Sequence, residues 1–162
     1  MKTRSGFVSN SSSSSFIIAL PHMPEDVKEL QNWLFFEDTE VFVGPYEGDW
    51  PVAVVTERVF NDLKDLKALT KKQMIDSLCD GWFDTMFKID EFYEGADHRL
   101  NLKKWDKYKR EEATEIVNQF IKSHSKMKFF IVNYEDGNGA FESALEHGDL
   151  FERVPHLVIS HH

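Results

Sequence analysis

The sequence predicts an α+β or α/β fold in a single globular domain over residues 1–162, and three observations predict it. Short apolar runs rich in β-branched or aromatic residues recur near 15–20, 41–43, 52–55, 128–134 and 157–159, each bounded by turn residues in the manner of strands. Between them lie stretches with apolar residues three and four apart, the longest near 102–124, which is the spacing of a helix with one buried face. The 162 residues are 41% hydrophobic and 14% aromatic, enough for one core in one domain of ordinary size.

The first strand, 15–20, holds two isoleucines and stops at Pro21. It is preceded by a serine-rich loop over residues 1–14. Pro24 suits the first turn of a helix, with Glu25 and Asp26 beside its positive end and Val27, Leu30, Trp33 and Leu34 on one face. The strands at 41–43 and 52–55 flank residues 44–51, whose Gly and Pro content suits a wide hairpin or a surface loop. Thr56 is placed to cap a helix carrying Val59, Phe60, Leu63 and Leu66, and Thr70 one carrying Met74, Ile75 and Leu78. The aromatic stretch from Trp82 to Tyr93 has the spacing of an amphipathic helix. Leu102, Trp105, Tyr108, Ala113, Val117 and Phe120 mark the long helix, which ends near His124. A strand at 128–134, a turn at Glu135-Asp136-Gly137-Asn138-Gly139, a short helix over 140–147 stopped by Gly148, and a strand at 157–159 complete the chain.

The net charge of −9 is uneven: +2 over residues 1–21, −10 over 22–101, +4 over 102–128 and −5 over 129–162. A surface uniformly attractive to phosphate backbones is excluded, because nucleic-acid affinity rests on Lys and Arg. Lys103, Lys104, Lys107, Lys109 and Arg110 form the one basic patch, and Glu111, Glu112 and Glu115 are close enough in sequence to pair with it. No apolar run approaches the roughly 20 residues that cross a bilayer, so the expectation is a cytoplasmic protein without a membrane segment. Cys79 is alone and sits among Met74, Ile75 and Leu78, the setting of a small buried hydrophobe rather than a nucleophile.

Two tracts carry possible chemistry. Ser9, Asn10, Ser11, Ser12, Ser13 and Ser14 offer hydroxyls and backbone N–H groups able to cradle an oxyanion; the alternative is a loop whose hydroxyls satisfy its own backbone. At the other end, four of seven histidines fall within the last sixteen residues. His147, His156 and His161, with Asp136 and Glu146, are the candidate metal ligands. None of the familiar metal-site spacings is present, and each histidine also has an ordinary role open to it, such as His147 at a helix C-terminus.

Residues 6–16, GFVSNSSSSSF, resemble the opening of a group of small bacterial and phage proteins that begin with a short basic segment and this tract. The resemblance covers about a tenth of the chain. It implies an N-terminal module and a bacterial or phage setting, and it carries no activity. The first functional expectation is therefore an accessory protein that binds a macromolecule, with a host protein as the candidate partner, through the acidic aromatic region from Trp33 to Tyr93. The second is a hydrolase or transferase on a phosphate-containing small molecule, using a divalent metal where the serine tract meets the C-terminal histidines. With 15–20 and 157–159 as neighbouring strands, His147, His156 and His161 would be ligands, Asp136 or Glu146 a ligand or base, and Ser11 to Ser14 the oxyanion cradle.

Overall fold

A computed structural model describes residues 12–45, 48–81 and 84–161. The elements run β1 (Ser13–Leu20), α1 (Val27–Leu34), β2 (Val41–Val43), β3 (Asp49–Pro51), α2 (Val52–Leu63), α3 (Lys71–Asp80), a 3₁₀ segment (Asp84–Phe92), β4 (Tyr93–Glu94), β5 (Arg99–Leu100), α4 (Leu102–Ser123), β6 (Lys128–Glu135), a 3₁₀ turn (Asp136–Asn138), α5 (Ala140–His147) and β7 (His156–Ser160). The fold is α+β, since every strand pairing is antiparallel. Among the described residues no helix is long and apolar enough to cross a membrane.

Strand β1 is the centre of a three-stranded sheet in the order β6-β1-β7. Ser13 faces Glu135 and Leu20 faces Lys128 on one side, while Ser14 faces Ser160 and Ile18 faces His156 on the other. A central strand covered on both faces should read as a continuous apolar run, and 16–20 does. Alternation sends Phe16, Ile18 and Leu20 into one core with Phe130, Val132 and Tyr134, covered by Leu30 and Leu34 of α1, Val55 and Val59 of α2, and Ala144 and Leu145 of α5. Ile17 and Ala19 enter a second core with Phe129 and Ile159, covered by Met74 and Leu78 of α3 and by Trp105, Ala113 and Val117 of α4. Ser14 and Ser15 continue the same alternation, so the serine tract sends hydroxyls to both faces.

Several local expectations hold. Thr70 and Gln73 form a reciprocal capping box on α3. Helix α1, by contrast, begins at Val27 and not at Pro24: Asp26 is its N-cap, accepting from Glu29 N–H, and Pro24 lies two residues before that cap. The long helix spans Leu102–Ser123 and ends at His124. Strands β2 and β3 pair antiparallel, with Val43 facing Asp49.

The strand expected at 52–55 is instead the first turn of α2. Val41 pairs with Pro51 and Phe42 with Trp50, so 49–51 supplies the partner strand and Pro51 ends it. Val52, Val55, Thr56, Val59 and Leu63 are buried at helical spacing, and that burial overrides the β-propensity of three valines. Thr56 is therefore interior to the helix, donating its hydroxyl to Val52 O at 2.8 Å rather than capping. The amphipathic helix expected from Trp82 to Tyr93 is a 3₁₀ segment followed by the β4–β5 hairpin; Trp82 and Phe83 lie outside the described residues. Phe92 still packs as an apolar residue, 5.3 Å from the Trp105 ring and 5.0 Å from that of Tyr108.

Gly81 lets the end of α3 approach β7. A Cβ there would stand 2.3 Å from Ile159 Cγ2 and 2.9 Å from both Ser160 O and His161 Cε1. Gly81→Ala should lower stability by about 1–3 kcal/mol through overpacking. The check is the urea midpoint, and an unchanged midpoint would show that β7 yields freely.

Candidate metal centre

The centre is assembled where β1 begins, β6 ends and α5 returns across the sheet. Ser12 stands one residue before β1 and Asp136 one residue after β6. They clamp each other: Ser12 N–H donates to Asp136 Oδ1 at 2.9 Å, Ser12 Oγ–H to Asp136 Oδ2 at 2.9 Å, and Asp136 N–H to Ser12 O at 3.1 Å. The chain then turns through Gly139, whose φ of 119° with ψ 179° is open to glycine and strained for other residues. Helix α5 follows, carrying Glu142 and Glu146 one turn apart on the side that meets the sheet and α2.

These two carboxylates differ in their surroundings. Glu142 accepts from the Arg58 guanidinium, which also pairs with Asp62 at 3.0 Å. Burial acts to lower the Arg58 pKa, but Glu142 and Asp62 outweigh it and hold the group above its ordinary value. Among the described residues Glu146 has no such Arg or Lys partner. Its side chain is 0% exposed. Oε1 accepts from Ser14 Oγ at 3.1 Å, whereas Oε2 accepts no hydrogen bond and lies 3.4 Å from His147 Nε2.

His147 Nε2 is the meeting point. Ser12 Oγ is 3.2 Å from it and Asp136 Oδ2 3.8 Å. Ligand atoms of Asp136, Glu146 and His147 all lie within 4.8 Å of one another. Atoms bound about 2.1 Å from one cation stand roughly 3–3.5 Å apart, so Glu146 Oε2 and His147 Nε2 are already at that spacing and Asp136 must draw in to share a cation with them. One imidazole and two carboxylates suit Zn²⁺ or Mn²⁺ better than Ca²⁺, which takes six or more oxygens. Ser12 has one hydroxyl proton, and Asp136 takes it. Toward His147 its oxygen then accepts, the opposite polarity to a serine nucleophile activated by a histidine base.

Of the sequence candidates, Ser12, Ser14, Asp136, Glu146 and His147 converge. Ser9, Asn10 and Ser11 lie outside the described residues, as does His162. Ser13 falls on the other face by alternation. His156 is outside the three-residue group because it pairs with Ile18, four residues along β1 from Ser14 and roughly 13 Å away at strand rise. Its Nδ1 lies 3.0 Å from Val154 O. His161 follows Ser160 on the strand path and so takes the opposite face, where Nε2 lies 2.7 Å from Ser15 Oγ and Ser15 donates to Asn133 Oδ1 at 2.5 Å. The sequence reading did not single out Ser15, Asn133 or Ser160. Period-two alternation through 12–15 is the signal that separates Ser15 from Ser12 and Ser14.

In the basic patch, Lys104 pairs with Glu94, Arg110 with Asp76 at 3.0 Å, and Lys107 with Glu111 at 3.8 Å. Hydrogen bonds from Lys72 and Arg110 hold the Asp76 carboxyl below its ordinary range, and those from Lys104 and Asn101 do the same for Glu94. Trp105 is buried. Burial pushes the Cys79 thiol up, which keeps it protonated at neutral pH and a poor nucleophile.

A cleft of about 310 Å³ adjoins the centre, with His147 in its wall. No protein-family model, curated protein or solved structure matches this chain.

Proposed function

We propose that the protein is a metal-dependent hydrolase or transferase acting on a phosphate-containing small molecule, with Asp136, Glu146 and His147 holding a divalent cation. The observation that carries this reading is the Glu146 carboxylate, wholly buried with Oε2 lacking a hydrogen bond. An ionised carboxylate removed from water is costly unless a cation or hydrogen bonds compensate. Glu142, one turn earlier, has its guanidinium; a divalent cation held by Asp136, Glu146 and His147 would give Glu146 its counterpart. Such a cation polarises a phosphoryl oxygen and lowers the pKa of a bound water. The chain's own part is to fix the ligands: Ser14 orients Glu146, and Ser12 orients Asp136 through both carboxylate oxygens.

The test is calorimetric titration of tag-free protein with MnCl₂ and ZnCl₂, followed by p-nitrophenyl phosphate turnover with and without EDTA. The expected results are one cation per chain, a raised unfolding temperature and EDTA-sensitive release of nitrophenol. Absence of binding heat together with an unchanged unfolding temperature rejects the metal reading. Cation binding without turnover rejects the hydrolase and leaves a transferase.

The accessory-protein reading ranks second. What favours it is the apolar surface at Phe36 and Val43, 64% and 65% exposed, within the acidic aromatic region. The metal reading ranks first because it alone required the serine tract to meet a C-terminal histidine, and Ser12 and His147 do meet.

A further inference from the structure

We propose that the cleft beside His147 is the substrate subsite of this centre and takes the apolar body of a phosphate monoester, with Arg153 as a second anchor for the anion. This deepens, and rests on, the metal reading. The cleft lies between β2 and the C-terminal end of α5. Its wall includes Phe36, Val41, Val43, His147 and Arg153. His147 therefore belongs both to the cation centre and to the cleft. Gly148 sets that junction: a Cβ there would stand 2.6 Å from Ala144 O and 2.7 Å from Phe42 Cζ, so the chain after His147 passes directly against β2.

The lining specifies the ligand. Phe36, Val41 and Val43 are among the exposed large hydrophobic residues, and together they offer one side of the cleft to an apolar body. Among the described residues Arg153 is the only Lys or Arg in the wall. Its guanidinium lies over the Phe36 ring at 4.0 Å from the centroid and donates a long bond to Asn32 O at 3.5 Å. No ion pair with a carboxylate engages it among the described residues. With a ring beneath it and one long bond to a carbonyl, the guanidinium has further N–H donors left for an anion. Asp149 and Glu152 also line the cleft, so it does not attract anions uniformly. The phosphate is placed by the cation and Arg153, and the apolar wall takes the rest. A volume near 310 Å³ is at the small end for ligand pockets, which suits a single ring with one phosphate.

The experiment compares phenyl phosphate with inorganic phosphate, both titrated into the Mn²⁺-loaded protein. Phenyl phosphate should bind at least tenfold tighter, since burying a ring contributes beyond the phosphate itself. Arg153→Ala should weaken phenyl phosphate about tenfold, as expected for loss of one charge-assisted contact, and Val43→Trp, which fills the cleft at an exposed position, should abolish the preference over inorganic phosphate. Both variants should still bind one Mn²⁺ with unchanged affinity. Equal affinity for the two phosphates, or a preference untouched by both variants, overturns the subsite. Loss of Mn²⁺ binding by the unsubstituted protein would instead remove the metal reading on which it rests.

Discussion

Glu146→Gln should remove the stabilisation that Mn²⁺ confers while leaving the metal-free protein as stable as before, or more so. Glutamine keeps the size of the side chain and an oxygen for the Ser14 hydroxyl, but it brings no charge into a site where the native side chain is 0% exposed. In the metal-free state the substitution relieves a buried carboxylate, a change that is often neutral or stabilising. In the presence of cation it deletes a ligand. At a hundredfold excess over its dissociation constant, a cation stabilises the native state by about 2.7 kcal/mol, and that increment should vanish in the variant. Urea unfolding with and without Mn²⁺ reads both effects. The competing account is a structural pair between Glu146 and a protonated His147, 3.4 Å away. Breaking a buried ion pair costs about 3–5 kcal/mol, so a large loss of stability in the metal-free variant would favour that pair over a cation site.

Ile18→Ala should have the largest effect on the fold itself, about 2–5 kcal/mol. Ile18 is 0% exposed at the middle of the central strand and belongs to the core shared by α1, α2 and α5. Its neighbours across the strands are Phe130 and His156, and both are held by their own ladders, so the cavity can collapse only partly. A shift in the urea midpoint equivalent to less than about 1 kcal/mol would contradict this and show that the first core repacks around the loss.

The same strand shows how much the sequence reveals. Its apolar run and its stop at Pro21 were legible because a strand covered on both faces has to be apolar throughout. The long helix was legible from its periodicity, and α3 from the Thr70 cap. Val52 to Val55 was not, since three valines look alike in a strand and in the buried first turn of a helix; Pro51 and the pairing of Val41 decide the matter, and pairing is a long-range fact. The site was half legible for a similar reason. The residue types at both ends pointed to a meeting, and Ser12 and His147 meet, separated by 135 residues in sequence. Which histidine joins could be settled only by register. Ser160 is held to the face of Ser14 by pairing with it, so His161 is sent to Ser15, and His156 is carried along the strand to Ile18. The distinction between Glu142 and Glu146 depends on Arg58, which reaches Glu142 from a different helix.

The most direct measurement is anomalous X-ray scattering from crystals of tag-free protein soaked in MnCl₂. The account predicts one peak per chain within about 2.0–2.3 Å of His147 Nε2 and of a carboxylate oxygen from each of Asp136 and Glu146. No peak there, or manganese only at His161, would contradict it.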